Sequence, residues 1–300
     1  MKPFRHVLVG LDGSGLDAVL LRYLARLLAY LPIRRVVLFR AYAAADLPKG
    51  LRHDYPELFE DPATDYLHQL AERYLSDVPW AAENFHGAFT DGMLTALRKH
   101  ETDLLVMGAK TGPRGRGTRA RQVIRMAPCS VLIVPEAPPR ELREVLVPVD
   151  FSPYARAALE VATRLCPTGG AKLYWQHVYT VPTGWSHTGK SYQTFARIMH
   201  DHAARESEAF AADLSLPDDT HLLLTLDNDR DPADKIYEEA VRRGVDLIVI
   251  GAQGQTRAAA RLLGSVAERL AYHDRPLPLL IVRPAGENEN LLDALLNRFG

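Results

Sequence analysis

The chain has 300 residues, enough for about two domains of ordinary size, each with a core of its own. Its 36 Lys and Arg against 37 Asp and Glu leave a formal charge of −1. With 24% charged and 47% hydrophobic residues the balance is globular, with no sign of a basic nucleic-acid face or a polybasic membrane anchor. Two cysteines, Cys129 and Cys166, cannot build a disulfide framework, and neither has a second Cys at metal-site spacing, so a reducing, cytoplasmic setting is expected.

From the N-terminus, Val7 to Leu11 is too short an apolar run for a signal peptide. The stretch 16–39 carries Asp17, Arg22, Arg26, Arg34 and Arg35 and cannot cross a bilayer as one helix. Short β-branched runs predict strands at 6–11, 35–41, 82–88, 104–108 and 131–135. Between the first two, Leu16, Val19, Leu20, Tyr23, Leu24, Leu27 and Leu28 have the spacing of one helix face. Glu136-Ala-Pro-Pro-Arg-Glu-Leu-Arg143 is a short linker by its prolines and charges. Strands are then predicted at 145–150, 171–179, 220–226, 246–251 and 278–283, with a helix face of Tyr154, Ala157, Ala158, Val161, Ala162 and Leu165 after the first. Leu291, Leu292, Leu295, Leu296 and Phe299 predict a short amphipathic helix in the tail 286–300, packed back on its own domain or, as the alternative, binding a partner.

The second series of strands repeats the first. His6-Val-Leu-Val-Gly-Leu-Asp12-Gly-Ser14 returns as Glu144-Val-Leu-Val-Pro-Val-Asp150-Phe-Ser152, and Asp103-Leu-Leu-Val-Met-Gly108 as Asp246-Leu-Ile-Val-Ile-Gly251. Ser130-Val-Leu-Ile-Val134 returns as Pro278-Leu-Leu-Ile-Val282. The offsets Asp12 to Asp150, Gly108 to Gly251 and Val131 to Leu279 are 138, 143 and 148 residues, as for two copies of one domain with small insertions in the second. The domains are 1–136 and 144–285. Alternating strand and helix gives each a five-stranded parallel sheet with about four helices, an open doubly wound, Rossmann-like α/β fold that binds ligands beyond the carboxyl ends of its strands.

The segment from Gly251 through Gly254 to Gly264-Ser265-Val266 follows the fourth strand of the second copy. Its glycines allow tight turns and close approach of a ligand, and Gly264-Ser265 sets free N–H groups at a helix start, which favours an anion such as phosphate. Two glycines three apart equally suit a plain capped turn; the full G-x2-G-x9-G-S spacing is rarer. That spacing resembles the nucleotide-binding pattern of the universal stress protein family, and the chain resembles the family once per half, over nearly its whole length. Val-Pro-Val-Asp150, His177-Val178 and Ala127-Pro-Cys129-Ser-Val-Leu-Ile-Val134 agree with that resemblance.

The resemblance implies an ATP-binding stress-response or regulatory module with little or no turnover, ATP arriving with Mg. By motif position, Pro148, Val149 and Asp150 would meet the adenine edge, Val178 would line its pocket, and Ile250, Gly251 and Gly254 would lie along ribose and phosphates. Gly264, Ser265 and Val266 would hold the phosphate chain. Arg257 and Arg261 either screen those phosphates or sit in solvent. Asp150 also suits a capping role ahead of Ser152-Pro153. Relatives pair through their fifth strands, which implies an internal pseudo-dimer of 131–135 with 278–283, with further homodimerisation left open.

The first half departs from the pattern. Gly117 follows Gly108 by 9 residues, where Gly264 follows Gly251 by 13, and Thr111 stands where the second glycine belongs. A degenerate first site is expected, its Lys110, Arg114, Arg116, Arg119 and Arg121 either solvated or holding some other anion. His200-Asp201-His202 has the wrong helical spacing for a metal pair. His177 and both cysteines suit packed interior positions, and no P-loop or nucleophile elbow occurs. No catalytic residue is therefore assigned and no metal site. The alternatives are a nucleotide-independent partner- or small-ligand-binding module, with Tyr179–Ser191 in its contact surface, and a slow ATPase or autophosphorylating enzyme.

Overall fold

A computed structural model describes residues 4–42, 62–110, 118–167, 170–255, 263–273 and 277–284. The chain divides into two compact units at Pro138–Pro139, inside the expected linker. The tail helix expected at 286–300 lies outside the described residues.

In the first unit the strands are β1 (His6–Leu11), β2 (Arg35–Tyr42), β3 (Trp80–His86), β4 (Leu104–Ala109) and β5 (Ser130–Pro135), all parallel, in the order β3-β2-β1-β4-β5. Four helices are described: α1 (Leu16–Leu27), α2 (Pro62–Tyr74), α3 (Phe89–Lys99) and α4 (Thr118–Met126). The second unit repeats this with β6 (Glu144–Pro148), β7 (Lys172–Tyr179), β8 (Thr220–Leu226), β9 (Leu247–Gly251) and β10 (Leu279–Val282), in the order β10-β9-β6-β7-β8. Its described helices are α5 (Pro153–Leu165), α6 (Tyr192–Ala211), α7 (Pro232–Arg243) and α8 (Ser265–Ala271), with a 3₁₀ turn at Thr183–Thr188.

The strands β4, β5 and β9 are buried along all or most of their length, which is why their sequences are continuously apolar. The expected face of α5 is buried at every position. On α1 the buried stripe includes Leu21 and Asp17, while Val19 and Leu28 are half-buried. The third strand starts two residues earlier than expected, because Trp80 and Ala81 pair with Val36 and Val37. The cysteines are both free and buried, and burial pushes the Cys166 thiol up to about 12. No helix among the described residues is long and apolar enough to cross a membrane.

In each unit the strand order reverses between the first and fourth strands, and there the two units differ. β1 pairs with β4 over four residues, Val7–Gly10 with Leu104–Met107, whereas β6 pairs with β9 over two, Val145 and Leu146 with Leu247 and Ile248. The cause can be read from the ladder. The Asp246 N–H donates to the Glu144 carbonyl (2.8 Å) and the Val149 N–H to the Gln176 carbonyl (2.7 Å), so even positions of β6 address β9 and odd ones β7. Pro148 is the next even position after Leu146 and has no N–H to continue the ladder. In β1 the same position is Gly10. The strands of the second unit part beyond Leu146, and a cleft opens at their carboxyl ends.

Candidate functional site

That cleft is a cavity of about 360 Å³, a size typical of small-molecule sites. Pro148, Val149 and Asp150 leave β6 into one wall, and Ile250 and Gly251 end β9 in the opposite one. Val178 enters from β7, Gly254 from the loop after β9, and Gly264, Ser265 and Val266 from the start of α8. All ten residues singled out from the sequence thus line the same cavity. Gln176, Ala155, Gln253, Gln255 and the α7 residues Pro232 and Ile236 line it as well. Of these, Gln176 carried a signal that was missed, a lone amide in the apolar run Leu173–Val178. Pro232 and Ile236 reach the site only through tertiary packing.

Local chemistry explains the turn from β6 into α5. Ser152 caps α5 through its hydroxyl, which accepts the Ala155 N–H (3.1 Å), and Pro153 takes the first helical position. Asp150 Oδ1 accepts the Ser152 N–H (3.1 Å), so the capping role expected of Asp150 is present. Its Oδ2 accepts the Gln255 N–H (2.9 Å), and its main-chain carbonyl accepts from Gln255 Nε2 (2.6 Å). The loop after β9 is therefore strapped to the end of β6 across the cavity mouth. Between them Phe151 adopts φ of +61°, a conformation that bulky residues rarely enter. Its ring is stacked on His177 (centroids 4.3 Å apart) and lies against Phe210 (5.5 Å). His177 in turn donates from Nδ1 to the Val149 carbonyl (2.9 Å), consistent with a packing histidine.

The two glycines after β9 have separate reasons. A Cβ on Gly251 would lie 2.8 Å from the Tyr154 backbone, so this glycine lets α5 pack onto β9. A Cβ on Gly254 would lie 2.5 Å from Asp150 Oδ2, so this one admits the carboxylate. One expectation is corrected here. The Gly264 N–H is not free for an anion, because it donates to the Ala252 carbonyl (2.7 Å) and closes the base of the loop. The N–H groups that the first turn of α8 presents begin at Ser265. Arg257 and Arg261 lie outside the described residues.

The corresponding region of the first unit is built differently. Asp12, the counterpart of Asp150, is ion-paired with Lys110 (2.5 Å), which stands where the second unit has Gln253. Burial opposes its charge, but hydrogen bonds from Lys110 and Ser14 outweigh that and hold Asp12 below the usual carboxylate value. Asp17 replaces the cavity-lining Ala155. Its buried carboxylate accepts the N–H groups of Asp12 (3.1 Å) and Gly13 (2.8 Å) and the Tyr66 hydroxyl (3.3 Å). Burial, helped by the neighbouring Asp12 charge, raises Asp17 above its ordinary value against those hydrogen bonds. The loop carrying Gly112, Arg114, Arg116 and Gly117 lies outside the described residues, as do the side chains of Thr118 and Arg119.

The Asp12–Lys110 pair gives a direct test. In an NMR pH titration the Asp12 carboxyl should titrate below 3.8, and Lys110→Gln should move the midpoint up. A carboxylate of lowered pKa adds stability above its unfolded value, and that increment is lost as pH falls through the folded value. With both side chains part-exposed, the change in stability should be small beside the change in midpoint. An unmoved midpoint would mean that the pair does not persist in solution.

Among the described residues no group of three or more His, Cys, Asp or Glu side chains is placed to hold a metal ion.

Fold and site together define a tandem doubly wound α/β protein with a ligand-sized cleft at the switch point of its second unit. Compared with known families, the chain matches the Universal stress protein family twice, over residues 3–135 and 141–283. It belongs to that family, in a two-domain form. Among solved structures it is similar to a universal stress protein from Archaeoglobus fulgidus DSM 4304, at 18% identity and a TM-score of 0.64, with 93% of this chain and 98% of that one covered. A putative universal stress protein from Pseudomonas aeruginosa UCBPP-PA14 is similar at 17% identity and the same TM-score of 0.64, covering 98% and 97%. No curated protein gives a significant match.

Proposed function

We propose that this protein is an ATP-binding regulator of the cytoplasmic stress response, holding one nucleotide in the cleft of its second unit with little or no turnover. The observation that carries the reading is the convergence of ten residues, assigned by motif position from the family resemblance, around one cavity at the switch point. The aliphatic walls at Pro148, Val178, Ile236 and Ile250 suit a flat base, and Gly254 with the start of α8 at Ser265 suits the phosphates. A single carboxylate, Asp150, lines the described cavity, and each of its oxygens already accepts a backbone N–H. Among the described residues this supports a cleft with little turnover, and magnesium carried chiefly by the triphosphate. In the first unit Asp17 and the Asp12–Lys110 pair put charged side chains where the second has Ala155 and Gln253, which supports a first site that does not take nucleotide.

Calorimetric titration of ATP with magnesium tests this. Saturation near one equivalent per chain is expected. Gly264→Asp should abolish it, since this residue has ordinary backbone geometry (φ −69°) and nothing closer than 3.4 Å to an added Cβ, so the fold tolerates the change while a negative charge enters the cleft. Two equivalents would overturn the asymmetry, and no binding by folded protein would overturn the reading.

A further inference from the structure

Gln176 precedes Val178 by two residues on β7, so both side chains face the same side of the sheet, and both line the cavity. It is fully buried, an unusual place for an amide in the middle of a parallel sheet. One end of that amide is committed. Nε2 donates to the Thr225 hydroxyl (2.9 Å) on β8 and to the Lys235 carbonyl (3.4 Å) on α7. A carbonyl only accepts, so the contact with Lys235 fixes which end of the side chain is nitrogen. The other end, Oε1, is buried and has no hydrogen-bond partner.

A buried amide oxygen without a donor is destabilising, and native structures leave few of them unexplained. The Val149 N–H beside it is already committed to the main-chain carbonyl of Gln176. Of the residues lining the cavity, Pro148, Val178, Ile236 and Ile250 carry no side-chain donor, and the Gln255 amide donates to the Asp150 carbonyl. The cavity is the side from which one can be supplied. We infer that Gln176 sets the base specificity of this cleft: Oε1 accepts an N–H from an exocyclic amino group of the bound base and so selects an amino-purine over a keto-purine.

The inference rests on the nucleotide reading above and extends it to the atom that discriminates. Where adenine presents an amino donor at C6, hypoxanthine presents an oxygen, and two acceptors facing one another in a dry site repel. ATP and ITP differ in this edge of the purine, so they are the probes. The wild-type protein should bind ATP at least about tenfold more tightly than ITP, the loss expected when a buried acceptor meets an acceptor. In Gln176→Met, which keeps the length of the side chain and removes its oxygen, the preference should shrink to about twofold or less, with ATP weakened and ITP unchanged or improved. A purely structural role would weaken both nucleotides alike and leave their ratio unmoved, and that result overturns the inference. Should Gln176→Met fail to fold, the wild-type ratio decides, because equal affinity for ATP and ITP excludes a discriminating acceptor. Binding of neither nucleotide by wild-type protein removes the nucleotide reading and this inference together, whereas binding of both without preference removes this inference alone.

Discussion

Gly251→Ala is expected to cost about 3 kcal/mol of stability, the upper range for forcing an extra methyl into a packed interior. The added carbon would sit 2.8 Å from both the carbonyl carbon and Cβ of Tyr154, and 2.9 Å from its carbonyl oxygen. Backbone cannot step aside as a side chain can. Relief requires α5 to move off β9, and the face of α5 that holds it there is buried at Tyr154, Ala157, Ala158, Val161, Ala162 and Leu165. Gly108 provides the control, being the same position one copy earlier. Its added carbon would meet Leu16 Cδ2 at 2.3 Å, but this is the end of a side chain that can change rotamer. Gly108→Ala should therefore cost about 1 kcal/mol. Thermal unfolding of the two variants checks the pair, and equal losses would show that the helix backbone is not what makes Gly251 necessary.

Gly254→Val should act on binding and leave stability nearly intact. Its Cβ would fall 2.5 Å from Asp150 Oδ2, a carboxylate held in place by the Gln255 and Ser152 N–H groups. Either the carboxylate leaves or the loop does, and both break the strap across the cavity mouth. ATP affinity should fall at least about tenfold, about 1.4 kcal/mol. The unfolding temperature should move by only a few degrees, since the residue sits in a loop outside the sheet. Wild-type affinity in this variant would show that the strap has no part in binding.

Much of this architecture was legible because it is written in local periodicity and then written again. The apolar runs at 104–108 and 246–251 are buried on both faces, and a strand of that kind announces itself without any partner in view. The edge strand β3 is half-buried along nearly its length, has no such run, and was misplaced by two residues. The cavity-lining glycines were found through their spacing and Asp150 through the family resemblance, but the reasons for them were not visible there. That Gly251 yields to a helix and Gly254 to a carboxylate depends on contacts across about a hundred residues of chain. Asp17 was hidden by its place next to Leu16 at the start of an amphipathic helix, where an acidic residue reads as ordinary first-turn polarity. The Gly264 N–H was misread for the same reason. Sequence shows a helix start, and only the folded loop shows that the Ala252 carbonyl has taken the donor.

The shortened pairing at Pro148 bears on how this protein can diversify. The second unit makes room for a ligand partly by omitting main-chain bonds, beside the small Ala155 where the first unit has Asp17, so part of the outline of the space is drawn by backbone that substitution cannot easily reshape. Positions on β7 and α7, among them Gln176, Val178 and Ile236, face it with side chains that can vary. A lineage adapting this scaffold to a different small molecule would therefore be expected to change those positions first, while the imino acid that parts the strands stays fixed. The first unit, with Gly10 at that position, keeps the longer ladder as its own starting point.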